Sequence, residues 1–157
     1  MITDAQYRYA KPDDLHFIYQ SLKAMVEEQN IQDRFSQTAD SLAEALFSDH
    51  PLAEVLLAEL DGKLVGFCLF SLTNRNFDLF NAPGIYIHEI YTVPAYRHQG
   101  VARDLIKRMK AIAKERGCGR IDWVVLKDNQ PAMEFYKKVS GAVPVDYIDY
   151  MRIKIEA

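Results

Sequence analysis

The residues best suited to chemistry lie in one run, Arg97-His98-Gln99-Gly100-Val101-Ala102-Arg103. It follows a strand-like stretch, residues 85–93, and a break at Pro94, and it opens a long amphipathic helix with a basic outer face. The first turn of a helix leaves backbone N–H groups unpaired, and the aligned peptide dipoles place roughly half a positive charge there. An anion such as a phosphate fits that position. Gly100 lets the backbone come close, Ala102 keeps the first turn uncrowded, and Arg97 and Arg103 bracket the loop with guanidinium groups suited to phosphate oxygens. The loop has neither the G-x-G-x-x-G of a dinucleotide fold nor the G-K-[ST] of a nucleotide-triphosphatase loop, which disfavours both classes.

The surrounding chain must supply a scaffold for this loop. Residues 6–10 predict a strand, and Leu15, Ile18, Tyr19, Leu22 and Val26 keep the spacing of a core-facing helix. Residues 29–37 are polar and aperiodic; Thr38 then caps a second helix carrying Leu42, Ala45 and Leu46, which Pro51 ends. Residues 54–60 and 63–73 are strand-like runs joined at Asp61-Gly62, a hairpin signal, with Gly66 suited to a bulge. Residues 74–83 form a polar and aromatic loop expected to cover part of a binding site. The helix after the anion loop has Val101, Leu105, Ile106, Met109, Ile112 and Ala113 on one face and stops at Gly117. Residues 120–126 predict a strand parallel to 85–93, because a strand–helix–strand crossover joins them. Pro131 starts a short helix through Val139. Residues 141–155 are expected to return as strands, Met151, Ile153 and Ile155 alternating against Arg152 and Lys154. The expected class is α/β: a mixed, mostly antiparallel sheet with a central parallel pair that splays at its ends, and helices on both faces.

A chain of 157 residues, 49% apolar, fits a single domain over residues 1–157. No apolar run approaches the ~20 residues of a membrane span. Met1-Ile2-Thr3-Asp4 has neither a basic nor an apolar leader region, so a soluble cytoplasmic protein is expected. Cys68 and Cys118 form no C-x-x-C pair, and His16, His50, His88 and His98 lack ligand spacing, so no metal is expected. The net charge of −3 argues against general nucleic-acid binding, and its distribution is uneven. Residues 1–60 hold 11 acids and 4 bases, whereas residues 97–120 hold 8 bases and 2 acids. Such a split suits an anionic ligand at one end and a cationic one at the other, and it equally describes ordinary solvated helix faces.

The motif Arg97-x-x-Gly100-x-Ala102 resembles the [QR]-x-x-G-x-[GA] loop of the GNAT N-acetyltransferases, which grips the pyrophosphate of acetyl-CoA. Asn129-x-Pro131-Ala132-x-x-Phe135-Tyr136 is similar to the N-x-x-A-x-x-F-Y segment of the same superfamily. Thr38, Leu42, Phe47, His50-Pro51, the run Pro83-Gly84-Ile85-Tyr86 and Tyr136 are most similar to its diamine and thialysine acetyltransferase branch. The resemblance implies a GNAT fold and acetyl-CoA as co-substrate, its pantetheine arm lying beside the first strand of the splayed pair. It also implies a homodimer, with a small cationic amine as acceptor.

Acetyl transfer to an amine needs a deprotonated nucleophile, a polarised carbonyl and a proton for the departing thiolate. The resemblance implies Tyr136 as the proton donor; on spacing alone it is a core aromatic. Backbone N–H groups of Ile90, Tyr91 and Thr92 would polarise the carbonyl if a bulge exposes them. Residues 97–103, Asn129 and Ala132 would hold the cofactor. Glu89 would take the amine proton, directly or through water, or orient the substrate. His88 stands where the branch usually has an acid, and would act as a base or narrow the pocket. Of Asp122 and Trp123, one should face the site and one the helix layer; Trp123 is either a pocket wall or core. Glu27 and Glu28 would hold an ammonium group, or be a solvated helix end. No activated Cys or Ser constellation points to a covalent intermediate. The alternatives are a non-catalytic CoA-binding module and an acetyltransferase for protein lysines or N-termini.

Overall fold

The structure, a computed structural model, describes residues 4–156; Met1–Thr3, part of the leader reading above, and Ala157 lie outside the described residues. These fall into two compact units that meet in sequence at Val124 and Val125.

The first unit is a five-stranded sheet in the order β1 (Gln6–Tyr9), β2 (Glu54–Leu60), β3 (Lys63–Thr73), β4 (Gly84–Thr92) and β5 (Arg120–Asp122). The first four strands pair antiparallel and β4 pairs parallel with β5. Three helices, α1 (Leu15–Glu28), α2 (Ala39–Phe47) and α3 (Val101–Glu115), cover its two faces. Strand alternation sorts the core. Val55, Leu57, Phe67 and Tyr91 pack with Ile18 and Leu22 of α1 and Leu42 and Leu46 of α2. Leu56, Cys68, Phe70, Ile85 and Ile87 pack with Val101, Leu105 and Met109 of α3 on the other side. The Thr38 hydroxyl caps α2 by accepting from the Ser41 N–H. Arg8 ties β1 to the entrance of α1 through the buried Asp14 at 2.8 Å, and holds that carboxyl below its ordinary proton affinity.

Two extra residues interrupt the ladders. Val65 is skipped between the pairs Ala58–Gly66 and Glu59–Leu64, beside the glycine expected to allow a bulge. His88 is skipped between Leu69–Glu89 and Phe70–Ile87. This second bulge reverses the alternation of β4, so Ile85, Ile87 and Ile90 all turn toward α3 while Tyr91 turns toward α1.

Two expectations are corrected. The strand expected over residues 120–126 stops at Asp122, and it pairs only with Gly84–Tyr86 of β4. Apolar and β-branched composition marks what fits a sheet, but a strand extends only where a neighbour's N–H and C=O groups are within reach. Residues 141–155 form no strand; Met151, Ile153 and Ile155 are more than four-fifths exposed. Alternation chooses a face and does not supply the partner that a strand's N–H and C=O groups require. The second unit contains one helix, α4 (Gln130–Ser140), ended by Gly141 in the left-handed conformation.

Gly66 stands where a Cβ would lie 2.6 Å from the Tyr91 carbonyl oxygen, a backbone atom that cannot swing aside. Gly66→Ala should lower unfolding free energy by about 1–3 kcal/mol, read as a shifted urea midpoint with an unchanged slope.

Candidate active site

The anion loop is built as a backbone surface. After β4 a short 3-10 turn, Pro94–Tyr96, reverses the chain; His98 (φ 62°) and Gly100 (φ 95°) are both left-handed, and α3 starts at Val101. Alternating hands in such a loop aim successive N–H groups into one concavity. Gly100, the N-cap of α3, offers no side-chain cap to the helix N-terminus, the end at which an anion is favoured. Gln99 closes the loop on itself by donating to the Ala95 carbonyl at 3.1 Å. Val101 is buried in the α3-side core, Ala102 is half-buried and Arg103 is exposed. A left-handed glycine leading into a helix N-terminus lets an anion approach the backbone closely.

Arg97 and Glu28, expected at opposite ends of the site, hold one another. The two terminal nitrogens of Arg97 each lie 2.9 Å from a different Glu28 carboxylate oxygen, and Nε donates to the Thr92 carbonyl at 2.9 Å. The guanidinium also lies 5.6 Å from the centre of the Tyr91 ring. Glu27 is exposed beside Glu28 at the end of α1.

The bulge assembles the other polar group. Glu89 is half-buried, and burial pushes its carboxyl up to about 7, partly opposed by a hydrogen bond from the Ile90 N–H. His88 is hydrogen-bonded through Nε2 to the Ser71 hydroxyl at 2.9 Å, with its ring edge-on to Tyr86 at 4.9 Å. Partial burial lowers the proton affinity of His88. Ser71 and Tyr86 were missed as site neighbours by the sequence reading. Tyr86 stands two residues before His88, a spacing visible in sequence, whereas Ser71 arrives only through the β3–β4 register. The side chains of Ile90 and Tyr91 belong to the two cores, so a ligand running along β4 meets only their backbone. Among the described residues β5 pairs with β4 no further than Tyr86, and the corresponding edge of β4 from Ile87 to Thr92 has no strand partner. An extended ligand could pair there. Trp123 packs against the α3-side core.

In the second unit Asn129 caps α4, its side-chain oxygen accepting from the Ala132 N–H at 3.3 Å, which gives the Asn-x-x-Ala spacing a local structural reason. Tyr136 is half-buried, its ring edge-on to Phe135 at 5.4 Å.

The sequence profile of the Acetyltransferase (GNAT) family matches residues 15–142. The chain belongs to the GNAT acetyltransferases. This GNAT chain is 28% identical over 139 residues to the thialysine N-epsilon-acetyltransferase of Bos taurus, the match covering 85% of this chain and 82% of that one. It is 24% identical to the L-ornithine N5-acetyltransferase NATA1 of Arabidopsis thaliana, covering 88% and 80%. A predicted acetyltransferase from Clostridium acetobutylicum, solved with acetyl-CoA, shares the fold at a TM-score of 0.73 with 20% identity, covering 94% and 96%. The protein is an acetyl-transfer enzyme, and acetyl-CoA is the donor its family uses. Among the described residues no helix is long and apolar enough to cross a membrane, and no group of three or more His, Cys, Asp or Glu is placed to hold a metal.

Glu89 gives stability a definite pH dependence. From its ordinary value of 4.5 up to about 7 the native carboxyl keeps a proton that the unfolded chain has released. Stability from this group is therefore full below 4.5 and falls as pH rises through 7. Glu89→Gln should abolish a decline on the order of 1–3 kcal/mol across that window, measured by urea unfolding of both proteins at a series of pH values.

Proposed function

We propose that this GNAT enzyme transfers acetyl from acetyl-CoA to a primary amine of a small cationic molecule, such as a diamine, a polyamine or a lysine-like amino acid, by direct attack in a ternary complex. The observation that carries the reading is Glu89. It is a half-buried carboxyl on the α1 and α2 side of β4, poised near neutral pH next to the edge of β4 that β5 leaves unpaired. Thialysine and L-ornithine, the acceptors in the names of two relatives, are cationic amines, and the acidic 1–60 segment favours such charges.

Each residue then has a role. The backbone of residues 97–103, together with Asn129 and Ala132, holds the donor, whose thioester supplies the acetyl group. The backbone N–H of Thr92 stabilises negative charge developing on the carbonyl oxygen; that of Ile90, on the same edge of β4, is shared with the Glu89 carboxylate, and that of Tyr91 turns toward β3. Glu89 accepts the amine proton. His88 is the poorer base, because Ser71 occupies its Nε2 and burial lowers its proton affinity; it forms a neutral wall with Tyr86. Glu27 and Trp123 complete the acceptor side. Tyr136 gives its phenolic proton to the thiolate. Cys68 is buried and its thiol is pushed up by burial and by the charge of Glu89, which supports direct attack over an acetyl-enzyme. A single catalytic domain is supported by the family match, which spans both units. A homodimer in the cytoplasm completes the proposal, and sedimentation at working concentration tests the dimer.

The test is thiol release from acetyl-CoA against diamines, polyamines, amino acids and short peptides. Cationic small amines should be used best, with a preference that weakens as salt rises. The kcat/KM profile should rise through an apparent value near 7, and Glu89→Gln should remove that limb. Tyr136→Phe should leave CoA affinity in place and lower kcat ~100-fold. Best use of neutral or anionic amines at low salt would overturn the acceptor class.

Gly100 tests the donor loop separately. Its φ of 95° is one that a β-branched residue resists, so Gly100→Val should weaken CoA binding at least several-fold in calorimetry while the thermal transition remains cooperative.

A further inference from the structure

Arg97 spends its guanidinium inside the protein. One edge grips both oxygens of Glu28 and the third nitrogen holds the carbonyl of Thr92, so the last residue of α1 is fastened to the last residue of β4 from within the anion loop. Glu28 and Arg97 are 69 residues apart in sequence. The side chains are 43% and 35% exposed, and ion pairs this open contribute little to global stability. Their geometry carries more information than their energy. A bidentate fork with a simultaneous carbonyl contact fixes a guanidinium in position and orientation, which a single-point ammonium cannot do. Glu28 also sits at the C-terminal end of α1, where the helix dipole disfavours a carboxylate and where no basic residue of that helix's own last turn offsets it. Arg97 supplies the missing cation across space.

We infer that Glu28 is a positioning residue for the anion loop, acting through Arg97, and that it is not a contact for the acceptor amine. The 93–100 segment is otherwise held by the short 3-10 turn, the Val93 N–H bond to Val65 and the packing of Val93 and Tyr96 against the two cores, none of which fixes the polar end of the loop against α1. The strap from Glu28 holds that segment against α1, so the backbone donors at the start of α3 are already arranged when the pyrophosphate arrives. Arg97 thereby acts on the anion by ordering the backbone. The inference rests on the proposed use of the loop for acetyl-CoA.

Calorimetric titration of CoA into the wild-type protein, Glu28→Gln, Arg97→Lys and the double variant tests it, with Asp33→Asn as a control for loss of one acidic charge. Both single variants should weaken CoA by roughly three- to tenfold, and the double variant should be no weaker than Arg97→Lys within about twofold, because the two residues act as one unit. Asp33→Asn should bind as wild type. In steady state Glu28→Gln should raise KM for acetyl-CoA by the same factor and leave KM for the best acceptor and kcat within about twofold. Glu28 is an exposed surface residue, and thermal melts of each variant check that the fold is kept. Unchanged or tighter CoA binding by Glu28→Gln, additive losses in the double variant, or a rise confined to the acceptor KM would each overturn the inference while the function stands. Failure of the wild-type protein to bind CoA would instead remove the function, and the inference with it.

Discussion

The extra residue in β4 is the constraint on which the rest of this structure depends. A strand with strict alternation would send Ile85, Ile87, Glu89 and Tyr91 to one face and His88 and Ile90 to the other. Inserting His88 between the pairs on either side lets Ile85, Ile87 and Ile90 all join the α3 core and Tyr91 join the α1 core. The apolar residues of β4 are thus satisfied on both faces. Two polar residues, His88 and Glu89, are left together in mid-strand, where ordinary alternation would keep only one. The proton affinity of Glu89 follows from that placement, since burial penalises its charge and a single hydrogen bond from Ile90 only partly compensates.

Backbone donors at open edges are the second feature of the structure. Among the described residues the edge of β4 past Tyr86 has no strand partner and the N-terminus of α3 has no side-chain cap, and one short loop connects them. Donors of this kind need no reorganisation to meet a ligand, provided the segments carrying them are held still. The packing of Val101, Leu105 and Met109 holds α3 against the sheet. Arginine–carboxylate forks hold the ends: Arg8 with Asp14, Arg116 with Glu54, and Arg97 with Glu28. Each joins elements whose mutual position the hydrophobic core, being non-directional, would leave looser.

Much of the architecture was legible because it is local. The apolar spacing of α1 and α3, the Thr38 cap, the Asp61-Gly62 turn and the glycine at the head of α3 each depend on residues within a turn or two of one another. Asn129 and Ala132 were legible as a motif, and the structure adds that they cap α4. The strand expected over residues 141–155 did not form, for the complementary reason: its alternation is local, but its pairing is not.

By itself, then, the sequence determined where the helices begin, which faces they bury, and that a glycine-bearing loop leads from β4 into α3, because propensity, capping and periodicity act over a few residues. Only the tertiary structure decided that the bulge falls at His88, that the Ser71 hydroxyl meets its ring, that Glu89 is withdrawn from water, and that Arg97 faces Glu28. Those outcomes are set by register, burial and the meeting of groups far apart in the chain, and a side chain's charge state and partner do not exist until the surfaces around it have packed.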